Sequence, residues 1–253
     1  MSDIFSVKEQ IVLVTGVASG IGHSQAQLFL KRGAVVYGAD ILQNSQVDSL
    51  KEEFPDNFSF FNCDVRKKAD LKKVVDQVMQ KSGQIDILLN TAGILDAYTP
   101  SLETTQEQWD NVLATNLTSM FLLTNLCLPQ MLEQGRGVIV NMASIAGMVA
   151  GGGGAAYTAA KHGIIGYTKQ LDYDYASQGI RANCIAPGAI KTPMNKADFA
   201  GEAKMAREVA AQTPALRWAD PQEVAALSLF LASRQADYIH GVVVPIDGGW
   251  TEK

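Results

Sequence analysis

The chain has 253 residues, with 21 basic against 26 acidic and a formal net charge of −5. That length can bury a substantial core within one open α/β domain, and at 47% hydrophobic residues disorder is not the starting expectation. The acidic balance argues against a broad surface for nucleic acid or an anionic membrane.

The opening, Met1-Ser2-Asp3-Ile4-Phe5, has no charged region leading into a secretory segment, and no apolar run reads as long enough to cross a bilayer. A soluble, cytoplasmic protein is expected. Cys63, Cys127 and Cys184 cannot all pair with one another and lack a metal-ligand spacing, so they are expected as buried free thiols, with no metal site.

In chain order, Ile11-Val12-Leu13-Val14 predicts a buried strand, Ile21 through Lys31 a helix, and Val35 through Ala39 a second strand. Ser59 through Cys63 predicts a third strand, Ala69 through Gln80 a helix, and Ile85 through Leu89 a fourth strand. Trp109 through Met131 predicts an amphipathic helix or a broken pair, followed by a strand at Val138 through Met142. Tyr157 through Ser177 has helical spacing and ends near Gly179, before a strand at Arg181 through Ile185. Pro221 through Ala232 and Val242 through Ile246 supply a last helix and strand. Apolar strands alternating with helices predict a doubly wound parallel sheet covered on both faces.

No internal repeat or linker divides the series, so residues 1–253 are expected to form one cofactor-binding and catalytic domain. Residues 189–216 are less periodic and are the candidate cover over a substrate, with an ordinary surface insertion as the alternative.

Thr15-Gly16-Val17-Ala18-Ser19-Gly20-Ile21-Gly22 falls between the first strand and first helix. Glycines there allow a tight turn, and the helix start offers N–H groups to a pyrophosphate. Three residues separate Gly16 from Gly20, unlike the usual dinucleotide fingerprint. Asp40, after the second strand, can accept hydrogen bonds from adenosine ribose hydroxyls and would repel a 2′-phosphate, which favours NAD over NADP. A helix cap or solvated turn is its plainer role. Asp64 can meet the adenine amino group with Val65 beside the ring, or Asp64 can cap the following helix. Asn90-Thr91-Ala92-Gly93 lets the chain pass close to adenosine, or is simply a turn.

Tyr157 and Lys161 share a helix face at four-residue spacing. A carbonyl reduction needs a hydride and a proton. A nicotinamide supplies the first and a phenol the second. Lys161 can stabilise the phenolate of Tyr157, and Ser144 can donate to the developing oxygen charge.

Thr15 to Gly22, Asn90-Thr91-Ala92-Gly93, Asn116, Ser144, Tyr157-Thr158-Ala159-Ala160-Lys161 and Pro187-Gly188 together resemble the classical short-chain dehydrogenase/reductase family over nearly the full length. The resemblance implies a single doubly wound domain of about seven parallel strands, with Tyr157 as general acid/base. It implies that Lys161 tunes the phenol and binds the nicotinamide ribose, that Ser144 orients the carbonyl, and that Asn116 helps hold a water-linked proton path. Pro187, Gly188, Ile190 and Thr192 are expected at the nicotinamide end. Thr91 stands where the family commonly has a second asparagine.

Leu95, Ile145, Ala146, Met148 and Met194 are the candidate substrate contacts, mostly apolar, which suits a modest ketone, a hydroxyketone or the near part of a longer acyl chain; a small secondary-alcohol, diol, hydroxyketone or polyol dehydrogenase is the preferred class. A 3-oxoacyl thioester reductase is the main alternative, with Lys191, Lys196, Lys204 and Arg207 as a potential carrier-binding patch. A nucleotide-sensing protein without activity is the non-enzyme alternative, less suited because it does not need Ser144, Tyr157 and Lys161 together. The resemblance also suggests a homodimer or homotetramer, through the helices of Leu117–Leu128 and Tyr157–Tyr175 and through Trp250.

Overall fold

The computed structural model describes residues 5–252. The stretch from Met1 to Ile4, which enters the reading of the N-terminus above, lies outside the described residues.

Seven strands form one parallel sheet: β1 (Ile11–Thr15), β2 (Val35–Asp40), β3 (Phe58–Asn62), β4 (Ile87–Asn90), β5 (Gly137–Met142), β6 (Ile180–Pro187) and β7 (Val243–Ile246). Their spatial order is β3-β2-β1-β4-β5-β6-β7. The order reverses between β1 and β4, which opens a crevice beyond the carboxyl ends of those strands. In β1 every residue is buried, and successive side chains enter opposite layers. Val12 and Val14 join the layer of Phe29, Leu50 and Val224, whereas Ile11 and Leu13 join that of Leu71, Leu123 and Leu171.

The helices are α1 (Gly20–Lys31), α2 (Ser45–Glu53), α3 (Lys68–Ser82), α4 (Gln106–Leu113), α5 (Ser119–Gln134), α6 (Ala155–Tyr175), α7 (Lys204–Gln212) and α8 (Pro221–Ala232). α2 and α7 were not foreseen. Each buries little: α2 only Val47 and Leu50, and α7 only Ala206, so neither prints a long apolar stripe. Asn44 starts α2 by accepting from the N–H groups of Gln46 and Val47, both at 3.2 Å.

The expected helix or broken pair after Trp109 is both. α4 and α5 join through a π turn, Ala114–Thr118. By length and hydropathy the joined helix, Gln106–Gln134, is long and apolar enough to cross a membrane, contrary to the reading above; half of its most apolar window is buried inside the fold. Pro129 lies within α5 and costs about 3 kcal/mol in a helix interior. Its neighbours Cys127, Leu128 and Met131 are at most 4% exposed. Burial at roughly 1.5–3 kcal/mol for a large apolar side chain offsets that cost.

Gly179 ends the segment after α6 with φ +85, and a Cβ there would fall 1.9 Å from the carbonyl oxygen of Gly135. Gly179→Ala should therefore destabilise the fold by at least about 2 kcal/mol, read as a lower urea midpoint at an unchanged m-value.

Candidate active site

The turn after β1 is built around missing side chains. Gly16 has φ +81 and Gly20 φ +56, and a Cβ on Gly22 would lie 2.2 Å from the carbonyl oxygen of Gly16. Ser19, at the start of α1, makes no side-chain cap hydrogen bond, so the first turn keeps N–H groups available to an anion. Behind the turn, the Thr15 hydroxyl accepts from the N–H groups of Thr91 and Ala92, both at 3.0 Å. Thr15 therefore ties the ends of β1 and β4 together and does not itself line the cleft.

That cleft has a volume of about 810 Å³. Gly16, Ser19, Gly20, Ile21 and Gly22 line it, as do Asp40, Asp64, Val65, Ala92 and Gly93, the residues expected from sequence to face adenosine. Pro187, Gly188, Ile190 and Thr192 line the same cleft with Ser144, Tyr157 and Lys161, Thr192 close to Gly20 and the Lys161 nitrogen close to Gly93. The residues present fit a dinucleotide: a glycine turn with an uncapped helix start leads continuously to a phenol and an ammonium.

Asp40 takes the turn role in this structure. One oxygen accepts from Ala18 N–H at 2.9 Å and the other from Leu42 N–H at 3.0 Å, while the residue still borders the cleft. Asp64 is not the cap of α3, a position held by Lys67. Its carboxylate takes Nε of Arg66 at 2.9 Å and a terminal guanidinium nitrogen at 2.8 Å. Arg66 holds the Asp64 carboxyl below its ordinary range chiefly through that side-chain hydrogen bond. Arg66 also lines the cleft and was missed, although it follows Asp64 by two residues in the sequence.

Asn90 departs from the expected adenosine contact. It does not border the cleft; its amide donates to Asn141 at 2.9 Å and Thr124 at 3.2 Å inside the protein. Asn141 continues the chain of bonds to Thr168 on α6 at 2.9 Å. The departure at Thr91 also has a local explanation. Its hydroxyl donates to Gln25 of α1 at 2.6 Å, and Gln25 donates to Ser228 of α8 at 2.8 Å.

Asn116 sits in the π turn, fully buried and away from the cleft lining. Its Oδ1 accepts from Ile94 N–H and its Nδ2 donates to Ile94 C=O, both at 2.8 Å. It thereby fixes the chain just after Gly93. A Cβ on Gly93 would lie 3.2 Å from the Asn116 oxygen and 3.8 Å from Lys161 Nζ, so the glycine leaves the amide and the ammonium side by side.

Ser144 follows β5, where its hydroxyl accepts from Ala146 N–H at 3.1 Å, donates to the Pro187 carbonyl at 3.5 Å and borders the cleft with Tyr157. Lys161 Nζ donates to the Met142 carbonyl at 2.8 Å and lies 5.3 Å from the Tyr157 ring centroid. Burial pushes the Tyr157 phenol up to about 12, against the opposing effect of the nearby Ser144 hydroxyl; Tyr98 and Asp96 push it further up. Burial pulls the Lys161 ammonium down to about 8. The expected lowering of the phenol by Lys161 does not figure among these causes: its charge sits over the ring and against a carbonyl.

Of the substrate candidates, Leu95, Ile145 and Met194 border the cleft, and Ala146 and Met148 do not. Tyr98, Met205, Val209, Trp218 and Trp250 border it as well. Tyr98, Trp218 and Trp250 lie outside the sheet and the long helices, whereas Met205 and Val209 share one face of α7 at four-residue spacing. Residues 189–216 leave β6 and return through a narrow neck, with Lys191 N–H to Ala219 C=O and Ala219 N–H to Ala189 C=O, both at 2.9 Å. Above the neck Trp218 donates to the Ala206 carbonyl at 2.8 Å and packs edge-on against Phe199.

Fold and cleft together define an α/β oxidoreductase that uses a nicotinamide cofactor. A family model described as enoyl-(acyl carrier protein) reductase matches residues 16–251. The chain is 39% identical to a 3-oxoacyl-[acyl-carrier-protein] reductase of Thermotoga maritima, covering 95% of this chain and 97% of that one. It is 38% identical to 3beta-hydroxysteroid dehydrogenase 2 of Eggerthella lenta, covering 96% and 95%. Its fold matches a putative NAD(P) dependent gluconate 5-dehydrogenase from Beutenbergia cavernae with bound NADP at low occupancy, at TM-score 0.91, 32% identity, and 99% and 100% coverage. The chain belongs to the short-chain dehydrogenase/reductase family.

Because the Gly22 clash falls on backbone, Gly22→Ala should weaken NADH binding by at least about tenfold, or 1.4 kcal/mol. A fluorescence titration, with melting temperature measured alongside, checks this.

Proposed function

We propose that this enzyme interconverts a small secondary alcohol, diol, hydroxyketone or polyol and the corresponding ketone with NAD(H), using Tyr157 as general acid/base. The observation that carries the reading is that Ser144, Tyr157 and Lys161 border one cleft continuous with the glycine turn. A bound nicotinamide would supply or accept the hydride. In reduction the Tyr157 phenol gives its proton to the carbonyl oxygen, and Ser144 donates a hydrogen bond to the same oxygen as charge develops. With a phenol at about 12 the proton is held firmly at neutral pH, which suits the acid role. Lys161, at about 8, keeps a positive charge beneath the ring at neutral pH, and Asn116 holds the backbone beside it.

Asp40 supports NAD. Its carboxylate borders the cleft, and the guanidinium there, on Arg66, is engaged by Asp64 and by Asn111 at 2.7 Å. A 2′-phosphate would meet negative charge without a disengaged arginine. Lys191, Lys196, Lys204 and Arg207 do not border the cleft, and Lys204 and Arg207 lie within 3.9 Å of Glu208 and Glu202 respectively. That favours a small uncharged substrate over a carrier-bound thioester. The same reading takes residues 1–253 as one domain and residues 189–216 as the cover. Phe121 on α5 and Tyr173 on α6 are 49% and 83% exposed, which supports a homodimer or homotetramer, and three buried unpaired thiols favour the cytoplasm.

The test follows NADH and NADPH absorbance over a panel of ketones, hydroxyketones and 3-oxoacyl thioesters and, in the reverse direction, alcohols and diols. NADH should outperform NADPH, and hydroxyketones should outperform thioesters; the opposite order in either comparison overturns that part of the reading. Tyr157→Phe should lower kcat by at least about a hundredfold while NADH still binds. A sedimentation profile showing only monomer at micromolar concentration would exclude the assembly.

A further inference from the structure

One buried carboxylate beside the reacting phenol has no part in the chemistry above. Asp96, in the loop between β4 and α4, is 5% exposed. Its Oδ1 accepts from Gly154 N–H at 2.7 Å and from Tyr98 N–H at 3.3 Å, and its Oδ2 accepts from Tyr157 N–H at 2.9 Å. Gly154 is the cap position of α6 and has no side chain to satisfy the first turn. A carboxylate from a distant segment does so instead, with a favourable charge for a helix start.

The glycine is what admits it. A Cβ on Gly154 would lie 2.7 Å from Asp96 Oδ2 and 2.5 Å from both the nitrogen and the oxygen of Thr99. Ala155 N–H then donates to Thr99 C=O at 3.2 Å, so the loop is sewn to the helix on both sides of the carboxylate.

That loop is strained. Ala97 and Tyr98 have φ of 55 and 59 in succession, a conformation costing roughly 1–2 kcal/mol for each residue with a side chain. Asp96 bridges the strain, bonded to Tyr98 on one side of it and, through its own carbonyl, to Thr99 N–H at 3.2 Å and Thr99 Oγ1 at 2.6 Å on the other. The product of the strained turn is Tyr98, which borders the same cleft as Tyr157.

We propose that Asp96 is a positioning residue for the reaction: it clamps the first turn of α6 to the Tyr98 loop, so that Tyr157 and Tyr98 meet one substrate at a fixed separation. The inference rests on Tyr157 being the acid/base group. It adds an electrostatic consequence, because the clamp is charged. The groups facing the phenol are Ser144 from the end of β5, Lys161 from its own helix, and Tyr98 and Asp96 from the loop after β4; Asp198 of the cover acts in turn on Tyr98. Burial is the largest cause raising the phenol, and the Asp96 carboxylate adds to it by opposing a second negative charge.

Asp96→Asn keeps the shape, removes the charge and turns an NH₂ toward an N–H donor. Asp96→Ser keeps one capping oxygen and serves if the amide variant does not fold. Alcohol oxidation, with the best alcohol of the panel above, is measured against pH, together with NADH affinity by fluorescence. NADH affinity should stay within about twofold. The plateau kcat should fall roughly ten- to hundredfold through misplacement of the phenol, and the rising limb of the profile should move to lower pH because the phenolate no longer faces a carboxylate. A variant that loses melting temperature but keeps both plateau and midpoint overturns the proposal and leaves Asp96 a helix cap alone. Full turnover in Tyr157→Phe would overturn the underlying reading instead.

Discussion

The molecule depends on how closely two strand ends approach at the point where the sheet reverses direction. The Thr15 hydroxyl holds the N–H groups of Thr91 and Ala92, and a Cβ on Gly16 would come within 3.0 Å of Ala92 Cα. With the two ends fastened, the glycine turn on one side and the Gly93–Ile94 chain on the other become walls of a single cleft. Asn116 fixes the second wall from behind, and the network of Thr91, Gln25 and Ser228 braces it against α1 and α8. Thr15, Asn116, Gln25 and Ser228, buried in the protein, thus help set the width of a groove that they do not line.

Burial does much of the electrostatic work at the phenol and the ammonium. Tyr157 and Lys161 are 8% and 3% exposed, and burial moves each toward its uncharged form, the phenol up and the ammonium down. Helical spacing places these two groups on one face, yet it says nothing about where the Lys161 nitrogen points. It points to the Met142 carbonyl, and an expectation based on proximity in sequence overstates the pairing of charge with phenol.

The strand rhythm and the glycine turn were legible because buried parallel strands are nearly continuous apolar runs and because φ above zero selects glycine. Part of the cleft lining followed from those two signals and from the family resemblance. Asn90 was misplaced since a strand-end amide can turn outward to a ligand or inward to Asn141, and the choice is made by neighbouring strands. α2 and α7 are nine residues each and bury only one or two side chains, so the strand rhythm alone does not require them, although Met205, Ala206, Val209 and Ala210 of α7 lie at helical spacing. Asp96 and Tyr98 were missed for a different reason: their importance lies in bonds to Gly154 and Tyr157, far away in the chain.

The neck at Ile190 and Ala219 is a single isolated bridge between parallel segments. The segment above it, including Met194, Met205 and Val209 on the cleft, leaves the sheet there and is tied once more to the chain beyond β7, by Ala215 N–H to Gly248 C=O at 2.9 Å. A graft that spans the neck and keeps that tie, from one relative into another, would transfer much of the pocket roof while leaving Ser144, Tyr157 and Lys161 on the untouched floor. Divergence in what such enzymes accept then needs no change in the sheet, only a different length of chain between the same pinch points.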